Sequence, residues 1–287
     1  MTTPPTSSLS ALAAEHGLVR VGVRPSLPDY VRQVWVRRHF AVALAGSKAY
    51  ARNQGSYLGQ VWAVLTPLLW AGVYLLMFGV VLQTDRGVAN YPGFLVIGVF
   101  LFHFGSASIQ SGSKAVTNNM ELIGSLQFPR ALLPISAVLA ELFTLLPSLL
   151  VLTVIVPVTG DPVQWSWLLL PVAVGLMWIF GTGVAFVLAR AVAQTRDLAR
   201  LVPFGLRVLM YGSGVFFSIN HYVGNPAVVS VLQRQPIAVY LELGRGALLA
   251  DVPLSPATWL WGIGWAAVAV VGGFVYFWHA EEKYARG

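Results

Sequence analysis

Long apolar runs separated by short polar breaks dominate this chain. A helix needs about 20 mostly apolar residues to cross a membrane, and six windows qualify: 61–81, 94–111, 132–156, 167–189, 201–219 and 259–278. The breaks carry turn formers and charges, among them Asp85-Arg86-Gly87, Thr159-Gly160-Asp161-Pro162 and Thr195-Arg196-Asp197. Trp62, Trp165, Trp167, Trp259, Tyr276 and Trp278 fall near window ends, where amphipathic rings favour the headgroup layer.

Two further stretches read differently. Residues 29–57 mix Val31, Val34, Trp35, Phe40, Val42 and Leu44 with Arg32, Arg37, Arg38 and Lys48, a pattern that predicts an amphipathic helix lying in the membrane interface. Residues 220–256 are too broken by Gly224, Pro226, Pro236, Gly244, Gly246 and Pro253 to cross. Within them, 228–232 and 237–249 keep helical spacing and predict two short helices dipping into the opposite interface. The start, 1–28, is a polar lead rich in Pro, Ser and Thr without the pattern of a secretory signal. The organisation expected is a lead (1–28), an interfacial helix (29–57) and one transmembrane domain (58–287).

Composition turns this pattern into a class. The chain is 56% hydrophobic and 10% charged, with a mean hydropathy of +0.70, against about 25% charged residues in soluble domains. The missing charge is a missing water-facing skin, so the fold expected is all-α and integral to a membrane. The formal net charge of +7 is explained by where the cations stand. With the N-terminus inside, Arg20, Arg24, Arg32, Arg37, Arg38, Lys48, Arg52, Lys114, Arg130, Arg190, Arg196, Arg200, Lys283 and Arg286 are cytoplasmic. Only Arg86, Arg234 and Arg245 fall outside. That bias sets a multi-pass topology with both termini in the cytoplasm and makes anionic lipid, not nucleic acid, the partner of the charge.

Catalytic chemistry is sparse. No cysteine is present, and no metal-binding or phosphate-loop motif occurs; Gly46-Ser47-Lys48 and Gly112-Ser113-Lys114 lack the required spacing. Asp85, Asp161, Glu242 and Asp251 form no close pair in sequence. Two ionisable residues sit inside windows, Glu141 and Arg207. Charges at a helix centre cost about 2.5–3.5 kcal/mol on insertion scales, so each is a functional candidate. Arg207 is within reach of the cytoplasmic surface by snorkelling. Glu141 lies too deep for that, and calls for a Ser, Thr or Arg partner, or a proton. Trp70, Tyr74 and Phe78 recur at i, i+4, i+8 on one face. With Phe102, His103, Tyr211, Phe216 and Phe217 they are candidates to line a path for sugar rings. The run Gly105-Ser106-Ala107-Ser108-Ile109-Gln110-Ser111-Gly112-Ser113 suits either close helix packing or a hydrated path. Between the second and third windows, Thr117 or Asn118 can cap a short helix with Glu121 in its first turn. Met120, Leu122, Ile123, Leu126 and Phe128 are more apolar there than a free loop should be.

These features together resemble the permease subunits of ABC-2 type polysaccharide exporters, the Wzm-type family that moves lipid-linked O-antigen, teichoic acid or galactan. The resemblance runs from about Tyr50 to the end. It rests on Tyr57-Leu58-Gly59 with Trp62, Leu65 and Pro67; on Asn119, Leu122, Ile123, Phe128-Pro129-Arg130 and Pro134; and on Arg196-Asp197. The proline-rich start is most similar to the actinobacterial galactan exporters. The resemblance implies a homodimer in the bacterial cytoplasmic membrane, joined to two cytoplasmic ATP-binding subunits. This chain would hold no cofactor, and ATP and Mg would sit on the partner. Residues 118–130 would be the coupling helix, with Asn118, Asn119, Glu121, Leu122, Ile123, Phe128, Pro129 and Arg130 at the ATPase. Residues 228–249 would be outer gate helices, and the pore would lie at the dimer interface along the first, second and fifth spans. Gly124-Ser125, Gln235-Pro236 and Ser213-Gly214 depart from the family's usual Lys, Asn-Pro and Ser-Pro. From the residues alone, three rivals stay open: an ABC-2 exporter of drugs or lipids, a membrane enzyme acting on polyprenyl-linked sugars, and an ion-coupled transporter using Glu141.

Overall fold

The computed structural model describes residues 25–52, 57–82, 88–222 and 224–281. The lead 1–24, the Asp85-Arg86-Gly87 break, Lys283 and Arg286 lie outside the described residues. All regular elements among the described residues are helical. In order they are α1 (Leu27–Val36), α2 (Arg38–Ala51), α3 (Trp62–Tyr74), α4 (Tyr91–Ser113), α5 (Met120–Ser125), α6 (Leu132–Val158), α7 (Leu170–Gln194), α8 (Leu198–Gly212), α9 (Ile219–Tyr222), α10 (Pro226–Arg234), α11 (Pro236–Leu248) and α12 (Pro256–Trp278). Proline stands in the first turn of α4, α7, α10, α11 and α12, where its missing N–H costs nothing.

Among the described residues, four helices are long and apolar enough to cross a membrane: α4, α6, α7 with its preceding 3-10 turn, and α12. They match four of the six expected windows. The first window is composite: α3 continues without a break as a π-helix, Leu75–Val81. The fifth is shorter than expected. Helix α8 stops at Gly212 after 15 residues, about 22 Å at 1.5 Å per residue, less than the roughly 30 Å of hydrocarbon. Its end is local chemistry. The Ser213 hydroxyl donates to the Leu209 carbonyl at 2.5 Å, and Gly214 takes φ +66°, a left-handed turn that residues with a Cβ avoid. The chain then reverses through Val215–Ser218 into α9. Among the described residues the six expected windows thus hold four continuous helices, one α/π helix and one shorter helix that ends at the Gly212–Gly214 turn.

Of the four long helices α4 is the most enclosed, packed by α6, α7 and α11. Small residues set the closest approaches. A Cβ on Gly112 would stand 2.4 Å from the Ala185 methyl, and one on Gly183 2.2 Å from the Ala269 carbonyl carbon. Close backbone approach of this kind supplies packing energy where lipid removes the hydrophobic driving force.

Helix α11, expected as an interfacial element, is instead a core element, with every residue from Ile237 to Leu248 buried except Glu242. It carries a correction to the charge map as well. Arg245, counted among the outside cations, is buried at 6% exposure. Its Nε donates to the Phe94 carbonyl at 3.2 Å, Nη1 to Gly214 at 2.9 Å and Nη2 to Val215 at 2.8 Å. The irregular turn after α8 frees carbonyls that lipid cannot satisfy, and one guanidinium satisfies them. Nearby, Asp161 closes the same end of the molecule. Its carboxylate accepts from Asn90 Nδ2 at 2.5 Å and from the Ala250 N–H at 2.9 Å.

At the other end, the basic one, the expected interfacial helix is two helices broken at Arg37. It does not lie flat across the helix ends. The Phe40 ring meets Phe128 just before α6, Leu44 meets Leu133 and Ala137, and Arg52 meets Glu141. Helix α2 therefore climbs the first third of α6, and α3 takes over above it, where Ser148 Oγ donates to the Ala63 carbonyl at 3.2 Å. Helix α1 is tied by a buried polar knot. Tyr30 Oη donates to Glu281 Oε2 at 2.7 Å and accepts from the Ala131 N–H at 3.1 Å, while Glu281 Oε1 accepts from the Arg130 N–H and Nη1 at 3.1 and 3.2 Å. Burial holds the Glu281 carboxyl above the ordinary range, with Tyr30 and Arg130 pulling it back down.

Candidate functional site

Three spaces lie along the face of α4 that is not packed on α7, and His103 lines all three. The division of α4 follows its sequence. Gly105, Ser108 and Gly112 are buried, with Gly105 and Gly112 against α7. Ser106, Ala107, Gln110 and Ser111 are only half-buried and line cavities. The small-residue run thus serves both packing and a lined path, one on each face.

The first space is a vestibule of about 470 Å³ at the basic end. It is lined by Lys48 of α2, Arg52 just beyond it, Gln110 and Ser111 of α4, Lys114, Asn118 and Asn119 of the following turn, and Glu141 of α6. Glu141 is 5% exposed and holds Arg52 in a two-pronged ion pair, Oε2 to Nη1 at 2.7 Å and Oε1 to Nη2 at 2.5 Å. The expected partner for the deep acid is thus an arginine, supplied by the climbing helix. A narrow space of about 20 Å³ between Pro67, His103, Ala107 and Glu141 comes next.

Beyond it an aromatic cavity of about 190 Å³ is lined by Trp70, Tyr74, Phe102, His103, Ser106, Met210 and Val215. Four of the eight residues expected to line a sugar path meet here. Trp70 and Tyr74 stack at 5.8 Å and 25°, as their i, i+4 spacing requires, and the Tyr74 hydroxyl donates to Met210 Sδ at 3.8 Å. The other four are placed differently. Phe78 stacks on Phe216 at 4.4 Å and 3°. Phe216 is fully buried and also touches Tyr74 and Tyr211, so it is a packing hub, because the turn after α8 folds it inward. Tyr211 is exposed on the outer face of α8. Phe217 meets Tyr222 and lines a separate space of about 250 Å³ at the far end. Arg207 lies exposed on α8.

The segment after α4 is shorter than the expected 118–130 helix. A 3-10 turn, Thr117–Asn119, leads into the six-residue α5, and residues 126–129 leave it without regular structure. Neither Thr117 nor Asn118 caps it. Thr117 Oγ1 turns back to the Lys114 carbonyl and Asn119 Nδ2 to Ala115 at 2.6 Å. Leu122, Ile123 and Phe128 are half-buried against Ala115, Leu133 and Ala137. Pro129 is buried and Arg130 is held by Glu281. The outward surface is Asn118, Met120, Glu121, Gly124, Ser125, Leu126 and Gln127, in which Met120 and Leu126 are the exposed apolar side chains. Arg37 Nη1 donates to the Gln127 carbonyl, so the exit of this segment is fastened to α2.

Reading the sequence missed Arg52 as the partner of Glu141, Arg245 as a carbonyl clamp, and the Tyr30–Glu281 knot. Only Arg245 left a local signal: it stands between Gly244 and Gly246 in an apolar stretch, and Gly98, whose Cβ would lie 2.3 Å from its Nη2, makes room for it.

Comparisons with known proteins agree with this layout. Residues 41–249, from α2 to the end of α11, match the family described as ABC-2 type transporter. The O-antigen export system permease protein RfbA of Myxococcus xanthus is 28% identical over 241 residues, covering 84% of this chain and 91% of its own. A Klebsiella pneumoniae protein of the same name is 28% identical over 179 residues, 62% of this chain and 68% of its own. A second one from that organism is 26% identical, also over 179 residues.

Proposed function

The chain belongs to the ABC-2 type transporter membrane family, and from that membership we propose that it is the permease subunit of an exporter of lipid-linked polysaccharide. Kinship with O-antigen export permeases carries the reading. The vestibule and aromatic cavity, both lined by His103, supply a route suited to it. Aromatic faces at Trp70 and Tyr74 stack on sugar C–H faces without demanding one sugar, while His103 and Ser106 offer hydrogen bonds beside them. The family implies an ATP-binding partner, and ATP with Mg would sit on that partner. The working unit is a homodimer with two such partners, in the bacterial cytoplasmic membrane. The basic end and both termini face the cytoplasm, and the glycan is galactan-like or O-antigen-like.

Coupling runs through α5. Partner closure presses on Met120 and Leu126. Asn118 and Asn119, at the root of α5, line the vestibule. The Arg37–Gln127 and Phe40–Phe128 contacts pass the same motion to α2, whose far end carries Arg52. One displacement thus reaches the vestibule from two sides. Leu122 and Ile123 face inward and support α5 against the body. The test is Met120→Asp with Leu126→Asp in the full chain, in cells and in mild detergent. Co-purification of the ATP-binding subunit and glycan export are both expected to be lost while the chain stays in the membrane. Undiminished co-purification and export would overturn the docking role of α5.

A further inference from the structure

The vestibule has a charge composition that a neutral glycan does not use. Lys48, Arg52 and Lys114 come from separate points of the chain and converge on one space, against a single carboxylate, Glu141. Among the described residues, neither lysine has an ion-pair partner. Both are half-buried, so each has given up part of its hydration without a counter-charge. The Ser111 hydroxyl on the same wall is buried and has no hydrogen-bond partner. Arg52 is half committed. Two of its five N–H donors hold Glu141, and its side chain remains 42% exposed. The Glu141 carboxylate in that fork shows the guanidinium already presenting the two-donor face that planar or tetrahedral oxyanions take.

We propose that this vestibule is a binding site for a phosphate or diphosphate group, with Lys48, Lys114, Ser111 and the free donors of Arg52 as its ligands and Glu141 as an internal competitor for Arg52. The inference rests on the permease reading only for what carries the group, a lipid-linked substrate or free phosphate. The site itself stands on the cations and the cavity. Hydroxyl-rich sugar calls for mixed donors and acceptors, whereas this wall offers donors in excess and three full charges. The neighbouring aromatic cavity, also lined by His103, then receives the sugar next to the anion. When the site is empty, Glu141 holds Arg52. When an anion enters, Arg52 is shared or transferred and the tie between α2 and α6 loosens.

The test uses the purified full chain in detergent, without the ATP-binding subunit, so that its failure is separable from failure of export. The probe is radiolabelled farnesyl diphosphate, with farnesol as neutral control and inorganic pyrophosphate as competitor. Expected results are saturable binding of the diphosphate over farnesol, at least tenfold weaker binding in Lys48→Gln/Lys114→Gln, and several-fold tighter binding in Glu141→Gln. Pyrophosphate competing at the probe's own affinity assigns the site to free phosphate chemistry. Competition only at far higher concentration assigns it to a lipid headgroup; both retain the anion site. Farnesol binding equal to the diphosphate, or equal binding in the double lysine variant, overturns the proposal. Because the two lysines are surface-reaching, that variant folds even if Glu141→Gln does not.

Discussion

Two arginines at opposite ends of the bundle show what burial does to the same side chain. Arg245 is sealed, with all three guanidinium nitrogens on backbone carbonyls and the Phe94 ring at 3.4 Å from its Cζ. Arg52 is held on one side by Glu141 and open to a cavity on the other. Arg245 closes the end where α8 turns back, and replaces backbone bonds that a continuous helix would have made. Arg52 joins two helices at an end that stays open. Charge in a membrane protein is therefore not one category: the sealed arginine is part of the backbone's hydrogen-bond closure, and the half-open one can change partners.

The sharpest way to break this contrast is Arg245→Met. It leaves the buried carbonyls of Phe94, Gly214 and Val215 without this donor, with an expected loss of about 3 kcal/mol or more, since each unsatisfied buried acceptor costs about 1–3 kcal/mol. Lysine does not rescue it, because one ammonium cannot replace a planar fork aimed at three acceptors. Thermal unfolding of the detergent-solubilised chain reads the effect. A midpoint unchanged in either variant would show that the α8 turn closes without Arg245. Gly98→Ala attacks the same clamp from the opposite wall. Its Cβ would sit 2.3 Å from Arg245 Nη2 and 3.1 Å from the Val215 carbonyl, so overpacking of about 1–3 kcal/mol is expected, read by the same midpoint. An alanine tolerated without loss would mean that the guanidinium has room to move.

The half-open pair predicts an asymmetry. Arg52→Ala strands Glu141, which is 5% exposed. The acid lines the vestibule, where water can reach it once Arg52 is gone, so the expected cost is about 1–2 kcal/mol, below the full penalty for a stranded buried charge. Glu141→Gln strands only an arginine that already reaches water, and under about 1 kcal/mol is expected. Unfolding midpoints of the two variants check this. Equal losses would mean Arg52 is as sealed as Arg245.

Period and length are the aspects of this fold that the sequence declares. Helices α4, α6, α7 and α12 are legible because each is a long uninterrupted apolar run. The end of α8 is written in Gly212-Ser213-Gly214, yet the apolar Val215-Phe216-Phe217 beyond it extends the run and conceals the turn. Hydropathy cannot tell a residue that continues a helix from one that folds back into the core. The aromatic stripe on α3 is legible as a face, since i, i+4, i+8 fixes it. Which neighbour covers that face is a long-range contact, so Phe216 is misplaced and Met210 is missed. Glu141 is conspicuous by its depth, but Arg52, 89 positions earlier, reads as one cytoplasmic cation among many. The inward turn of Leu122 and Ile123 is hidden for the same reason: apolar residues on a six-residue helix declare that they need cover without saying whose.

The most local effect tests whether the basic end is open in its outermost layer too. Tyr30→Phe removes the hydroxyl that bridges Glu281 and the Ala131 N–H, at an expected cost of about 1 kcal/mol. Glu281 keeps the Arg130 bonds, so the loss is local and frees α1 rather than unfolding the chain. The pH sign comes from burial. With the carboxyl of Glu281 held above its ordinary range, the folded end binds its proton more tightly than the unfolded chain does. Its contribution is then complete below the unfolded carboxyl value and lost as pH rises through the folded one. Tyr30 donates to the charged carboxylate and pulls the value down, so Tyr30→Phe raises it further and moves the loss of docking to higher pH. Hydrogen exchange of the Leu27–Val36 amides from about pH 5 to 8 reads both. Protection is expected to fall as pH rises, with α1 of Tyr30→Phe less protected throughout and its fall displaced upward. Uniform exchange changes over the whole chain would instead mean that the knot is as integral to the bundle as the Arg245 clamp, and the two ends would no longer differ in kind.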